Sequence, residues 1–291
     1  SIDNVSVKEQ INLVSNPNFT DTGAELVDNN DFSNSTTDWS ANGSSTISVG
    51  THEGRSDVAD INITGTSTAD RIEQSFTYVD GASYKVTVEV YVVSGSFRID
   101  SRDTFVTTDF ISTTTTGEWQ TLTAYITAIQ SGTDVIWLRS NSPGGISQFY
   151  VDSVSIKELG EDWTLESGWS IIENGAYYDG TGGTNRNIRQ DIGITDGKSY
   201  KITYNVYSIS AGEVAVRFGG MAGIDEITAT TTGLKTGYIT ANSSANGEVL
   251  IEDNDNAFVG SISSISVQEL GADWTVQTGW SIGEDKAICL S

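Results

Sequence analysis

The chain has one cysteine (Cys289), one histidine (His52) and two prolines (Pro17, Pro143) in 291 residues. A lone cysteine excludes an intrachain disulfide. With a lone histidine it also leaves no thiolate–imidazole pair and no Cys/His spacing suited to zinc. Cations are scarce: 15 Lys and Arg stand against 39 Asp and Glu, for a net charge of −24 and a pI near 4.1. Neutralising phosphates requires clustered Lys and Arg, so nucleic acid is excluded as a partner. An acidic surface is also repelled by anionic membranes, but at marine ionic strength the Debye length falls to roughly 4 Å and such a surface stays soluble. No run approaches the ~18 apolar residues of a membrane-spanning helix, so no membrane insertion of that kind is expected. No stretch reads as a secretory leader, which leaves the destination open. Nucleophile elbows and metal-ligand spacings are missing. A glycosidase-type carboxylate pair needs a cleft holding two acids about 5–9.5 Å apart, which small repeated polar sandwiches do not favour. The chain is read as non-catalytic.

What is present is repetition. EDWTLESGWSIIENGAYY from Glu161 returns as ADWTVQTGWSIGEDKAIC from Ala272, so that Trp163 and Trp169 recur 111 positions later as Trp274 and Trp280. A closing phrase precedes each copy, YVDSVSIKELG up to Gly160 and GSISSISVQELG up to Gly271, and SIDNVSVKE opens the chain. Fixed-period self-similarity marks an array. It divides the chain into the last strand of a preceding module (1–9), module A (10–159), module B (160–270) and the first strands of a following module (271–291). Module A holds a doubled opening segment over 12–38, LVSNPNF from Leu13 and LVDNNDF from Leu26, read as a decayed duplication forming a linker strand. The recurring tryptophans read as core or inter-module packing.

The pattern is all-β. Tyr84, Val86, Val88, Val90 and Val92 alternate with Lys85, Thr87, Glu89 and Tyr91, and Tyr200, Ile202, Tyr204 and Val206 repeat the arrangement in module B. Each run follows a D-G-x-S turn, at Asp80 and Asp196, where glycine adopts positive φ without steric cost. Short alternating strands at this spacing predict tandem antiparallel jelly-roll β-sandwiches. His52, in the Gly-rich VGTHEG stretch, reads as an exposed loop residue, Trp119 as buried, and the acidic run Glu252–Asn256 as a solvated hairpin tip.

In order, N-L-V-x-N-x-x-F (Asn12 to Phe19), D-G-x-S-Y-K-[VI]-T, the G-E-W-Q strand at Gly117 and Y-V-D-S-V-S-I at Tyr150 resemble carbohydrate-binding modules of the family 4/9 type, jelly rolls of the galactose-binding-like group. The tandem D-W-T-x-x-x-G-W-S-I style is also similar to repeats in structural proteins of tailed phages. The first resemblance implies glycan recognition and a structural calcium. The opening carboxylate expected for that ion is replaced by Thr20 or Ser33, and the closing Asp is kept as Asp152 but becomes Ser263 in module B. Calcium is therefore expected at Asp152 in module A only. Sugar rings stack on aromatic faces while polar neighbours orient them, which directs attention to outward aromatics. Tyr91 and Tyr125 beside Glu89 are the candidates in module A, with Tyr207 and Tyr238 their equivalents in module B. Arg98 and Arg217 would complete the face from neighbouring strands, and Trp137 is a further candidate. Cross-strand tyrosine pairing on a packed sheet is the other reading of the same residues.

These readings combine into a non-catalytic structural or adhesion segment of a phage virion, a tail fibre or capsid decoration on the virion surface. It would serve host attachment through weak multivalent contacts to glycans, or contact neighbouring virion subunits within a homo-oligomer, a trimer being the usual form. The alternative is a carbohydrate-binding array of an extracellular bacterial enzyme or adhesin.

Overall fold

The structure, a computed structural model, describes residues 11–101, 111–141, 145–183, 185–221, 225–271, 279–282 and 287–289. The described residues contain strands and turns but no helix, and the all-β expectation holds. Contacts divide the chain into two units: Thr22–Leu159, and residues 1–21 together with 160–291. We refer to them as the continuous unit and the split unit.

The continuous unit contains β1 (Thr22–Glu25), β2 (Ser40–Asn42), β3 (Ser45–His52), β4 (Arg55–Ile63), β5 (Arg71–Tyr78), β6 (Ser83–Ser94), β7 (Phe97–Ser101), β8 (Ile111–Thr113), β9 (Trp119–Thr127), β10 (Gly132–Arg139) and β11 (Ser147–Leu159). One sheet has the order β3-β4-β11-β6-β9, with β1 also on β11, and the other β2-β5-β10-β7-β8. All pairings are antiparallel. The alternation in β6 does what its period predicts: Tyr84, Val86, Val88, Val90 and Val92 are buried and meet Phe76, Phe97, Ile136, Leu138 and Phe149 in one core. Each such side chain contributes roughly 1.5–3 kcal/mol when fully buried. The preceding turn places Gly81 at φ 77°. Thr22 and Leu159 are register partners, so the unit starts and ends at the same place.

The split unit contains β12 (Thr164–Leu165), β13 (Trp169–Ile172), β14 (Gly175–Tyr178), β15 (Asn187–Asp191), β16 (Ser199–Phe218), β17 (Ile227–Ala229), β18 (Gly233–Thr240) and β19 (Glu248–Leu270). Here β16 and β19 stay continuous through several register shifts. The first half of β16 pairs with β18 and its second half with β17. They take the places of β6 plus β7 and of β10 plus β11. A terminal hairpin, β20 (Trp280–Ile282) and β21 (Ala287–Cys289), forms a separate two-stranded sheet. Trp163 and Trp169 are buried, whereas Trp280 is exposed; Trp274 lies outside the described residues.

One sequence-based boundary changes. Residues 11–21 do not belong to module A: they pack in the split unit, and the doubled opening segment is not a linker. In the split unit Leu13 N donates to Val267 O, Ile265 N donates to Pro17 O, and Trp163 Nε1 donates to Asn16 O. In the continuous unit Leu26 N donates to Ile156 O, Val154 N donates to Asn30 O, and Trp39 Nε1 donates to Asn29 O. Phe19 packs tilted against Trp163 with ring centroids 5.0 Å apart, and Phe32 against Trp39 at 5.3 Å. The two copies make equivalent bonds in different units, and the continuous unit is inserted into the split one. Strand periodicity could not reveal this, because both segments precede every body strand.

The acidic run also differs from expectation. Glu252 and Asp253 are buried within β19 rather than at a solvated tip. Glu252 pairs with Arg217, and an Asp253 carboxylate oxygen accepts from Phe258 N.

Candidate carbohydrate-binding face

On the outer face of β6, Glu89 and Tyr91 project away from the core between buried valines. Register places Trp119 of β9 on one side of Tyr91 and Tyr150 of β11 on the other, with Asp60 of β4 next to Tyr150. A bulge between Val151 and Ser153 of β11 inserts one extra residue, Asp152, and turns its carboxylate toward Glu89's neighbourhood. The hairpin joining β3 to β4 turns through Glu53 (φ 49°) and Gly54 (φ 81°), which sets His52 and Arg55 opposite each other at its tip.

These elements converge. The His52 imidazole stacks on Tyr150 (centroids 3.7 Å, interplanar 12°) and meets Tyr91 edge-on at 4.5 Å. Tyr91 lies 5.7 Å from Trp119 and 6.4 Å from Tyr150. The Arg55 guanidinium sits 4.2 Å from the Trp119 ring centroid and donates to Asp152 at 2.7 Å and to Glu89. Those hydrogen bonds, Glu89's first, raise the Arg55 pKa. Burial, then the Asp60 charge, pushes the Tyr150 phenol above its usual value. Gln148 and Asn62 side-chain amides donate to Asp60 at the margin. His52 Nε2 and Trp119 Nε1 are buried with no hydrogen-bond partner among the described residues. A stranded polar atom costs about 1–3 kcal/mol, and a ligand rich in hydroxyls offers both donors and acceptors to relieve it.

Of the residues expected from sequence, Tyr91 and Glu89 lie in this cluster. Tyr125 shares the face but pairs with Lys85, six residues along β6 from Tyr91, about 20 Å away at strand spacing. Arg98 and Trp137 belong to the other sheet. There Arg98 and Arg139 both pair with Asp100, whose side chain is fully buried, and Arg71 and Arg139 lie over the Trp137 ring at 4.5 and 4.9 Å. Burial raises the Asp100 pKa against the opposing pull of Arg139 and Arg98. Arg217 is buried against Glu252 and is not part of a ligand face. Tyr207 and Tyr238 are exposed on the split unit. Asp152, expected to hold calcium, has its carboxylate bound by Arg55, and among the described residues no group of three or more His, Cys, Asp or Glu side chains converges.

The cluster is confined to the continuous unit. By strand register the split unit carries Tyr207 for Tyr91, but Asn205 for Glu89, Thr232 for Trp119, Ser261 for Tyr150 and Ser263 for Asp152. Sequence reading missed His52, Arg55, Trp119 and Tyr150. The signal was there, in two alternating runs flanking the Glu53–Gly54 turn and in the Y-V-D alternation of β11.

Residues 24–143 match the family model for a carbohydrate binding domain. The match lies within the continuous unit, begins just before its own opening segment, and supports a carbohydrate-binding module there. No curated protein matches the chain. Similar solved structures include the tandem CBM22-1–CBM22-2 domain of Paenibacillus barcinonensis Xyn10C (12% identity, 86% of this chain and 98% of that one, TM-score 0.38). Another is the CBM22-1–GH10 portion of Clostridium thermocellum xylanase 10B complexed with xylohexaose (16%, 50% and 30%, TM-score 0.36). A third is a Paenibacillus xanthan lyase (12%, 79% and 25%, TM-score 0.30).

Proposed function

We propose that the chain is a non-catalytic glycan-binding segment and that its binding face is the His52–Arg55–Glu89–Tyr91–Trp119–Tyr150–Asp152 cluster of the continuous unit. The observation that carries the reading is the convergence of four aromatic rings with an Arg–carboxylate network on an outer sheet face. In a protein fold, four rings on an outer face bury no core; beside fixed polar groups they suit a pyranose, which has apolar faces and a hydroxyl rim. The tandem self-similarity points to a repetitive surface assembly, a virion fibre or capsid decoration, in which weak sites gain from multivalency. The carbohydrate-binding family match equally favours attachment to a secreted bacterial enzyme, and the flanking coding sequence separates the two settings.

The test is affinity electrophoresis and calorimetry of the full chain against a polysaccharide panel. Trp119→Ala or Tyr150→Ala removes an aromatic surface worth roughly 1.5–3 kcal/mol when buried, so binding falls about 10- to 100-fold. Tyr207→Ala, on the split unit, leaves it unchanged. A glycan hit insensitive to both cluster substitutions moves the site elsewhere.

A further inference from the structure

The split unit completes its fold with a segment that is separated from the rest of it in sequence by another folded body. Residues 11–19 join the rest of that unit only through residues 22–159, which have their own core. Inside the split unit they are held as a bound peptide would be. Phe19 is 1% exposed against Trp163, and Val14 and Asn16 are 5% exposed. Leu13 N donates to Val267 O at 2.8 Å, Ile265 N to Pro17 O at 2.9 Å, and Val267 N to Asn12 Oδ1 at 3.0 Å. Gln190 clamps Ser15 from both sides of its amide: Ser15 N donates to Oε1 at 2.8 Å, and Nε2 donates to Ser15 O at 3.1 Å. An anchoring aromatic with backbone hydrogen bonds to a strand is the chemistry of strand addition.

We propose that this cleft accepts the opening segment of a second copy of the chain, so that copies link by exchanging residues 11–19. Three observations select that occupant. The complementary peptide is carried by the chain itself. Its tether to the continuous unit is Thr20 and Asp21, which are exposed and lie outside any strand. The exchanged form keeps every contact of the closed one, so only tether entropy separates them, as in domain swapping. The competing segment 25–32 differs where specificity is read. It offers the Glu25 carboxylate where residues 11–19 offer the Asn12 amide, and Ile156 N and Ser155 Oγ donate to that carboxylate. The split unit has Val267 N facing Asn12.

The test uses the full chain. Isotopically light and heavy wild-type chains are unfolded together, refolded over a range of concentrations, and weighed by native mass spectrometry. Mixed-mass dimers are expected, rising about tenfold in ratio to monomer for each tenfold rise in free monomer by mass action. Dimer dominates as concentration nears the effective concentration of the tether, on the order of millimolar. Phe19→Ala (faulty segment) and Trp163→Ala (faulty cleft) each weaken the closed and the exchanged form alike and leave the dimer-to-monomer ratio near that of the wild type. Co-refolded, they enrich the heterodimer over its statistical share, because only there does an intact segment meet an intact cleft. Exclusively monomeric wild type at every concentration overturns the proposal, as does a Phe19→Ala/Trp163→Ala heterodimer no more abundant than random pairing of the two variants gives.

Discussion

Phe19→Ala provides a direct test of how the chain is threaded. Phe19 is 1% exposed and its ring lies 5.0 Å from that of Trp163. Truncating a buried phenylalanine costs about 3–5 kcal/mol, the lost transfer energy plus the cavity left behind. At roughly 1.4 kcal/mol per decade, the opening equilibrium of the unit holding Phe19 should rise about a hundred- to a few thousand-fold. Hydrogen exchange read peptide by peptide shows where that loss lands. Protection should fall in β16 and β19, more than 170 positions along the chain, and remain in β6 and β11, which are nearer in sequence. Phe32→Ala, whose ring lies 5.3 Å from that of Trp39, should do the reverse. If Phe19→Ala strips protection from β6 and β11, residues 11–21 belong to the continuous unit and the inserted arrangement is wrong.

Three further outcomes are expected. Arg217→Ala leaves Glu252 buried without its cation and costs the split unit about 3–5 kcal/mol in denaturant melts, with no change in glycan binding; a loss of binding without destabilisation contradicts the burial assignment. Gly175 has φ 109°, and a Cβ there would lie 2.1 Å from Ile262 O. Gly175→Ala should therefore cost more than the ~1 kcal/mol of a left-handed non-glycine residue alone, read as a lower melting temperature of the split unit. Asp60→Asn removes a negative neighbour that, after burial, raises the Tyr150 pKa, so ultraviolet titration should show that phenol ionising at lower pH than in the wild type, and an unchanged or higher value refutes the placement.

Sequence patterning revealed the architecture well and the site in part. The alternation of Tyr84 to Val92 and the D-G turns identified β6, its counterpart in β16, and the sandwich they build, because a period of two is a local property. Tyr91 and Glu89 were found by the same local rule. His52, Arg55, Trp119 and Tyr150 were not, because their meeting depends on the registers of β3, β4, β9 and β11 and on the bulge at Asp152. A one-residue slip in any of these strands would send the side chain to the other face. Arg98 and Arg217 were misplaced for a related reason. Arg98 lies on β7, in the second sheet of the continuous unit, and Arg217 lies beyond the register shifts of β16, where that strand pairs with β17 instead of β18.

The Thr22–Leu159 pairing bears on how the chain folds as it is made. Residue 16 leaves the ribosome long before its partner Trp163, 147 positions later. At roughly 5–20 residues per second, synthesis of the intervening body takes on the order of ten seconds. Holding an unfolded loop of that length closed would cost about 4 kcal/mol of chain entropy. Once residues 22–159 fold, their two ends are fixed side by side, and the loop that remains to be closed shrinks to a few residues at each junction. The inserted body thus acts as a clasp, and the order of folding follows: the part made in the middle must finish first, and the segment made earliest is the last to find its place.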